Sequence, residues 1–189
     1  SYTNTANAIG YSAPSNGRNY TDAAKDSFTT KLPVITKWVV DSSIDNGRDK
    51  VTIGEKVIYG VNVTLPVGNY TKLVIKDTLP QGFEYIGAGA FYANGTKLVN
   101  GKDWTVNVNN YDITITINNV HSSNFANGIL SINLTARPTI FDPSNKEGAV
   151  KVNNVELFLN DKTMGRSSAK VTIVEPTADI TKKFNVTEV

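Results

Sequence analysis

A chain of 189 residues with 40% apolar content, eight Tyr, seven Phe and two Trp can bury a substantial core. A net charge of +2 with no basic run excludes a nucleic-acid surface as its organising feature. The absence of Cys removes disulfide and thiolate chemistry, and a single His and a single Met, His121 and Met164, leave little for metal or nucleophilic catalysis.

In chain order, residues 1–33 carry Asn4 in a strand-like tail and a loop at Tyr11-Ser-Ala-Pro-Ser-Asn-Gly-Arg18. Val34-Ile-Thr-Lys-Trp-Val-Val40 is a strongly β-prone run interrupted by one lysine. Further strands are expected over 56–64, 72–76, 104–108, 111–117, 129–134, 150–159 and 169–174, where Val, Ile, Thr and Tyr dominate and several runs alternate. Asp45-Asn-Gly, Pro66-Val-Gly, Pro80-Gln-Gly, Asn94-Gly, Asn100-Gly, Asn127-Gly and Asp142-Pro are turn signals between them. Val106 to Ile117 reads as a hairpin turning at Asn109-Asn110. Residues 124–127 can hold a helical turn, no long helix is expected, and His121 falls in a polar, turn-like stretch that reads as a solvated loop. Short strands at this spacing predict an all-β fold: an antiparallel, immunoglobulin-like β-sandwich with Greek-key connections. No apolar run approaches the roughly 18 residues of a membrane span, and no basic-then-apolar leader opens the sequence. Six Asn-x-Thr sequons, at Asn19, Asn62, Asn69, Asn94, Asn133 and Asn185, say little about glycans. With 22 Asn and 33 Ser plus Thr, chance alone supplies roughly four.

Ile35-Thr36-Lys37 recurs as Ile180-Thr181-Lys182, 145 residues later (182 minus 37), which is about one domain. Asn4 precedes Lys37 by 33 residues and Asn154 precedes Lys182 by 28. The expected organisation is a cut through a tandem array: the closing strands of one repeat at 1–33, a complete sandwich at 34–177, and the first strand of the next at 178–189.

Lys37 lies mid-strand among Val34, Ile35, Trp38, Val39 and Val40, so both faces of that strand look apolar. A buried, unpaired ammonium is very costly, and its usual escape is a lowered pKa; the resulting neutral amine is a nucleophile. Asp77 is in phase with Leu73 and Ile75, and Asn154 lies inside a strand where a carboxamide needs a partner. These residues can satisfy one another as a buried Lys37–Asp77 ion pair with Asn154 bonded to backbone, or can react. Glu55, in a turn, and Glu156, in phase with Asn154, are the other candidate acids, and a register shifted by one brings in Asn153 instead.

A first-strand lysine, the phrase Lys76-Asp-Thr-Leu-Pro-Gln-Gly-Phe83, a late-strand asparagine and Val51-Thr-Ile-Gly-Glu-Lys-Val-Ile-Tyr-Gly-Val61 together resemble the isopeptide-bonded, A-type Cna-like domains of Gram-positive pilins and surface adhesins. The resemblance spans roughly 34–175. It implies an autocatalytic link between Lys37 Nζ and the Asn154 side-chain carbonyl carbon, with Asp77 assisting and ammonia leaving. It further implies that Asn4 and Lys182 serve equivalent links in adjacent repeats. The function so implied is a stalk or fibre module at the cell surface, in cell wall or pilus, whose partners are neighbouring copies of the repeat or subunit, with no enzymatic turnover, metal or cofactor. A sortase-type Leu-Pro-x-Thr-Gly signal and a pilin lysine motif are both missing; Leu65-Pro-Val-Gly-Asn69 is not such a signal. Two alternatives remain open at this point. One is an adhesin domain gripping host matrix or glycan through Tyr85, Phe91 and Tyr92; the other is a non-covalent fibre subunit assembled by strand exchange.

Overall fold

The computed structural model describes residues 2–11, 19–28, 31–42, 49–66, 70–89, 92–93, 96–118 and 129–175. The chain divides into two compact units, Ser1–Leu32 and Pro33–Val189. In the first, β1 (Tyr2–Tyr11) and β2 (Asn19–Phe28) pair antiparallel, with Asn4 opposite Asp26.

The second unit carries β3 (Val34–Ser42), β4 (Lys50–Thr52), β5 (Val57–Thr64), β6 (Leu73–Thr78), β7 (Phe83–Ala88), β8 (Tyr92–Ala93) and β9 (Thr96–Lys97). It continues with β10 (Trp104–Asn109), β11 (Asp112–Ile117), β12 (Ile129–Pro138), β13 (Val150–Leu159) and β14 (Lys162–Val174). One sheet runs β10-β11-β6-β13-β14-β4 and the other β3-β5-β12-β8-β9, with β7 also on β12. The chain therefore crosses repeatedly between the layers of an all-β sandwich. One pairing departs from the antiparallel expectation: three-residue β4 runs parallel to the end of β14, which makes the first sheet mixed.

Period-2 alternation builds the core. In β12 the side chains of Leu130, Ile132, Leu134 and Ala136 point in, and in β11 those of Ile113, Ile115 and Ile117 do the same from the opposite sheet. With Tyr59, Val61, Leu73, Ile75, Leu157 and Val171 they form one contiguous cluster. Burying each such side chain is worth about 1.5–3 kcal/mol.

Turn chemistry fixes the registers. The β13–β14 hairpin turns on Asn160 and Asp161, at φ 48° and 64°, a left-handed conformation that Asn and Asp tolerate. Asn160 Oδ1 also accepts from Thr71 N, Thr71 Oγ1 and Lys72 N, which pins this hairpin to the start of β6. The β10–β11 hairpin turns one residue later than the sequence suggests, on Asn110 and Tyr111, because Asn109 already pairs with Asp112 and Asn110 takes the left-handed φ of 56°.

β3 also alternates: Ile35 and Lys37 are buried, whereas Val34 and Trp38 are 53% and 39% exposed. The strand thus has one apolar face turned inward and one half-open, rather than two buried faces. Trp38 lies flat over Gly60 of the neighbouring β5, where an added Cβ would stand 2.5 Å from Trp38 Cζ2 and 2.9 Å from Val40 Cγ2. Gly60→Ala is accordingly expected to push Trp38 off the sheet and cost about 1–3 kcal/mol. A lower melting temperature with red-shifted tryptophan emission checks this, because the other tryptophan, Trp104, is only 5% exposed.

Candidate functional site

Two of the sequence-selected residues meet inside the sandwich. Lys37, from β3, and Asp77, from β6, come from opposite sheets, and Lys37 Nζ donates to Asp77 Oδ2 with the two side chains 0% and 1% exposed. Asp77 reaches the interior because Leu73, Ile75 and Asp77 share one phase of β6 while Lys76 and Thr78 point out. The Lys37 backbone N–H donates to Ser167 Oγ of β14 at 3.0 Å, tying β3 to the sheet that carries Asp77.

The third member is Asn153 rather than Asn154. On β13 the odd residues Lys151, Asn153, Val155, Leu157 and Leu159 point in, and Asn153 is fully buried. Asn154 is exposed, and its Cα partner across the β6 ladder is outward-facing Thr78. In that ladder Val155 stands opposite Asp77, which places Asn153 at the diagonal inward position beside it. The phase is hard to read from sequence because Val150, Val152 and Phe158 put apolar residues on the outer face and Lys151 puts a cation on the inner one, which leaves Val155, Leu157 and Leu159 to give the true phase. Glu156 shares the outer face with Asn154. It pairs with Arg166 at 2.7 Å and, with Asn154, Lys76 and Asp112, lines an open groove of about 530 Å³. Glu55 is exposed in the turn after β4. Neither glutamate reaches Lys37, so Asp77 is the acid beside the amine.

Burial sets the electrostatics. Loss of hydration lowers the Lys37 pKa, against the opposing pull of Asp77. It raises the Asp77 pKa, against Lys37 and the nearby Asn153 carboxamide. Both shifts favour a neutral amine beside a protonated acid. Among the described residues neither Asn153 Oδ1 nor Nδ2 completes a hydrogen bond of good geometry, and Asp77 Oδ1 is likewise unpartnered. The Tyr59 ring covers the cluster, its centroid 4.9 Å from Lys37 Nζ. Sequence reasoning passed over Tyr59 and Ser167. An aromatic in phase with Val57, Val61 and Val63 reads as core, and the strand carrying Ser167 begins in the β-poor Lys162-Thr-Met-Gly-Arg-Ser-Ser168.

A second polar cluster supports β13 next to this site. Lys151 Nζ donates to Gln81 O at 2.9 Å and Ser144 Oγ at 2.6 Å, and Asn145 Nδ2 donates to Gly82 O and Thr139 O. The β6–β13 ladder ends at the Thr78–Asn154 pair. Beyond it the Lys151 ammonium, two residues from Asn153, takes over as the bridge to the chain that follows β6.

Of the remaining sequence-selected residues, Lys182, His121 and Phe91 lie outside the described residues. Tyr85 is partly buried against the core, and Tyr92 pairs in β8 with Ser131 and Lys97. Among the described residues no group of three or more His, Cys, Asp or Glu could hold a metal ion. No described helix is long and apolar enough to cross a membrane.

Comparison with solved structures adds the fold's relatives. A C-terminal fragment of the major pilin GBS80 of Streptococcus agalactiae superposes with a TM-score of 0.56 at 17% identity, covering 76% of this chain and 56% of that one. The N-terminal domain of the Streptococcus gordonii adhesin Sgo0707 gives 0.60 at 13%, covering 82% and 35%. BcpA, the major pilin subunit of Bacillus cereus, gives 0.54 at 16%, covering 88% and 51%. The chain has the fold of Gram-positive pilin and adhesin domains. It spans about a third to somewhat over half the length of these structures. No protein-family model matches the sequence, and no curated protein matches it.

Replacing the amine isolates the acid. With Lys37→Met, Asp77 loses the charge that pulls its pKa down, so its folded pKa rises further above 3.8. Below 3.8 the carboxyl is protonated in both folded and unfolded chains. Above it the unfolded chain ionises first, and stability falls by up to about 1.4 kcal/mol per pH unit until the folded pKa is reached. Lys37→Met is therefore expected to lose melting temperature between about pH 4 and pH 7 relative to Lys37→Met/Asp77→Asn, which lacks the titrating group.

Proposed function

We propose that the Pro33–Val189 unit is a structural stalk or fibre module of a bacterial cell-surface protein or pilus. In this reading it is closed by an amide bond between Lys37 Nζ and Asn153 Cγ. The observation that carries the reading is the fully buried constellation of amine, acid and carboxamide on three strands, with the carboxamide unsatisfied. The likeness to pilin and adhesin folds supports the setting.

The chemistry follows from the burial. The neutral Lys37 amine adds to Asn153 Cγ, and the carbonyl electron pair moves onto Oδ1. Asp77, held protonated, donates to that oxygen and carries a proton from Nζ to Nδ2. Collapse of the adduct returns the Oδ1 electron pair to re-form the carbonyl, breaks Cγ–Nδ2 and releases ammonia, leaving the Nζ–Cγ bond made in the addition as an amide. The fold supplies proximity, which is worth about 7–11 kcal/mol of barrier for well-oriented groups. Each chain reacts once, so the unit is no enzyme.

The bond would close a loop of 116 residue steps (153 minus 37). By analogy with a disulfide over about 100 residues, it would add on the order of 4–5 kcal/mol. Its mechanical effect is larger. β3 and β14 run side by side in the same direction, since Ile35 faces Gly165 and Lys37 meets Ser167. Force therefore enters at one end of the sandwich and leaves at the other. With the link in place, tension passes from β3 straight to β13, and residues 38–152 carry none of it.

Intact mass tests the reading. The wild-type protein is expected to weigh one ammonia less than its sequence. Asn154→Ala should keep that deficit, whereas Lys37→Ala, Asn153→Ala and Asp77→Ala should abolish it and melt lower. A folded wild-type protein of full mass would refute the cross-link. In single-molecule stretching the wild type should release only the segments outside Lys37–Asn153, and Asn153→Ala should release the whole sandwich, at about 3.3–3.6 Å per residue.

A further inference from the structure

Tyr59 is fully buried, yet its hydroxyl has no hydrogen-bond partner among the described residues. A phenol that only filled space here would serve better as phenylalanine, because an unsatisfied buried hydroxyl is destabilising. The waste is local. Apart from Asn145 Oδ1, the buried side-chain polar atoms without partners among the described residues are the Tyr59 hydroxyl, Asp77 Oδ1 and both polar atoms of Asn153. The Tyr59 ring lies over Lys37 Nζ, which in turn bonds Asp77, and Asn153 stands diagonally beside Asp77. Two free donors, the Tyr59 hydroxyl and Asn153 Nδ2, and two acceptors that lack one, Asp77 Oδ1 and Asn153 Oδ1, thus belong to the residues around the amine; of the two donors only the hydroxyl is not itself on the reacting carboxamide. Desolvation by burial raises the phenol pKa well above its usual value, so the hydroxyl stays protonated at neutral pH and can donate or accept without ionising.

We propose that the Tyr59 hydroxyl is a catalytic hydrogen-bond donor to Asn153 Oδ1, the oxygen that gains negative charge as Lys37 Nζ adds to Cγ. This rests on the cross-linking reading above and deepens it. Asp77 supplies one donor to that oxygen and must also move protons between the two nitrogens. Tyr59 supplies a second that keeps its proton throughout, so the oxyanion stays stabilised while Asp77 turns to the leaving group. A donor aimed at charge that develops only in the adduct accelerates the step, and its bond is missing in the reactant state for the same reason.

The test is a time course of the full chain made by a pulse of cell-free synthesis, with intact mass followed for loss of ammonia. Tyr59→Phe is expected to fold but to cross-link more slowly, on the order of a hundredfold. Its unlinked form should melt no lower than that of an unlinked Tyr59 chain, compared in the Asn153→Ala background. A structural role for the hydroxyl predicts the reverse: a lower melting temperature at an unchanged rate. Site-specific 3-fluorotyrosine at position 59, nearly the same size but a stronger donor, is expected to cross-link at least as fast as tyrosine. Wild-type linking rates in Tyr59→Phe, or slowing by fluorotyrosine, would overturn the role of Tyr59 while leaving the cross-link intact. A wild-type chain that never loses ammonia would overturn the cross-link itself, and the role of Tyr59 with it.

Discussion

An amine and a carboxyl share the interior of a sandwich whose other inward side chains around them are mostly hydrocarbon. Hydration is the main thing each loses, and mutual attraction only partly restores it, so both are driven toward their neutral forms. That single constraint orders the rest of the site. It demands that β3 present Lys37 inward, that β6 end its apolar phase on an acid, and that a third strand bring a polar group alongside. Well-packed apolar residues of similar volume would often be as stable or more so. Retaining the charged types in the core therefore points to chemistry or specificity as the reason for them.

The surrounding fold holds these groups in register from three directions. The β6–β13 ladder sets Asp77 beside Asn153 but stops at Thr78. The Lys151 ammonium then bridges to Gln81, and Asn145 fastens the loop behind it to Gly82 and Thr139. From the other sheet, Ser167 holds the backbone of Lys37 itself. Polar bonds at the rim thus fix a geometry that the apolar interior, which is non-directional, could not specify alone.

The strands, their alternation and the inward phase of Asp77 can be read from the sequence because β6 and β11 keep one face apolar and the other polar. β13 hides its phase. It carries Val150, Val152 and Phe158 outward and Lys151 and Asn153 inward, so the reactive-looking pair of asparagines is displaced by one residue. A one-residue slip moves every side chain of a strand to the opposite face, which is why Asn154 and Glu156 face outward together. The first half of β14 is equally hard to see, since Gly165, Arg166, Ser167 and Ser168 gain their strand conformation from pairing with β13 rather than from propensity. Tyr59 is invisible for another reason: its ring belongs to the core and only its terminal oxygen does not.

β3 shows why a covalent tie would matter at this place rather than elsewhere. Among the described residues it is the terminal strand of its sheet, with β5 as its only ladder partner, and it is the first strand of the sandwich in chain order. A pulled edge strand can peel from its neighbour one bond at a time, and hydrophobic contacts offer little resistance along the pulling direction. Lys37 is the fourth residue of that strand, and the pairs of Trp38, Val39, Asp41 and Ser42 with β5 all lie beyond it. A bond from there to β13, which lies between β6 and β14 in the interior of the other sheet, would transfer load from an edge strand to one supported on both sides. The burial that disarms the lysine's charge thus acts on a residue of the edge strand that comes first in the sandwich, where a covalent tie would bear the load.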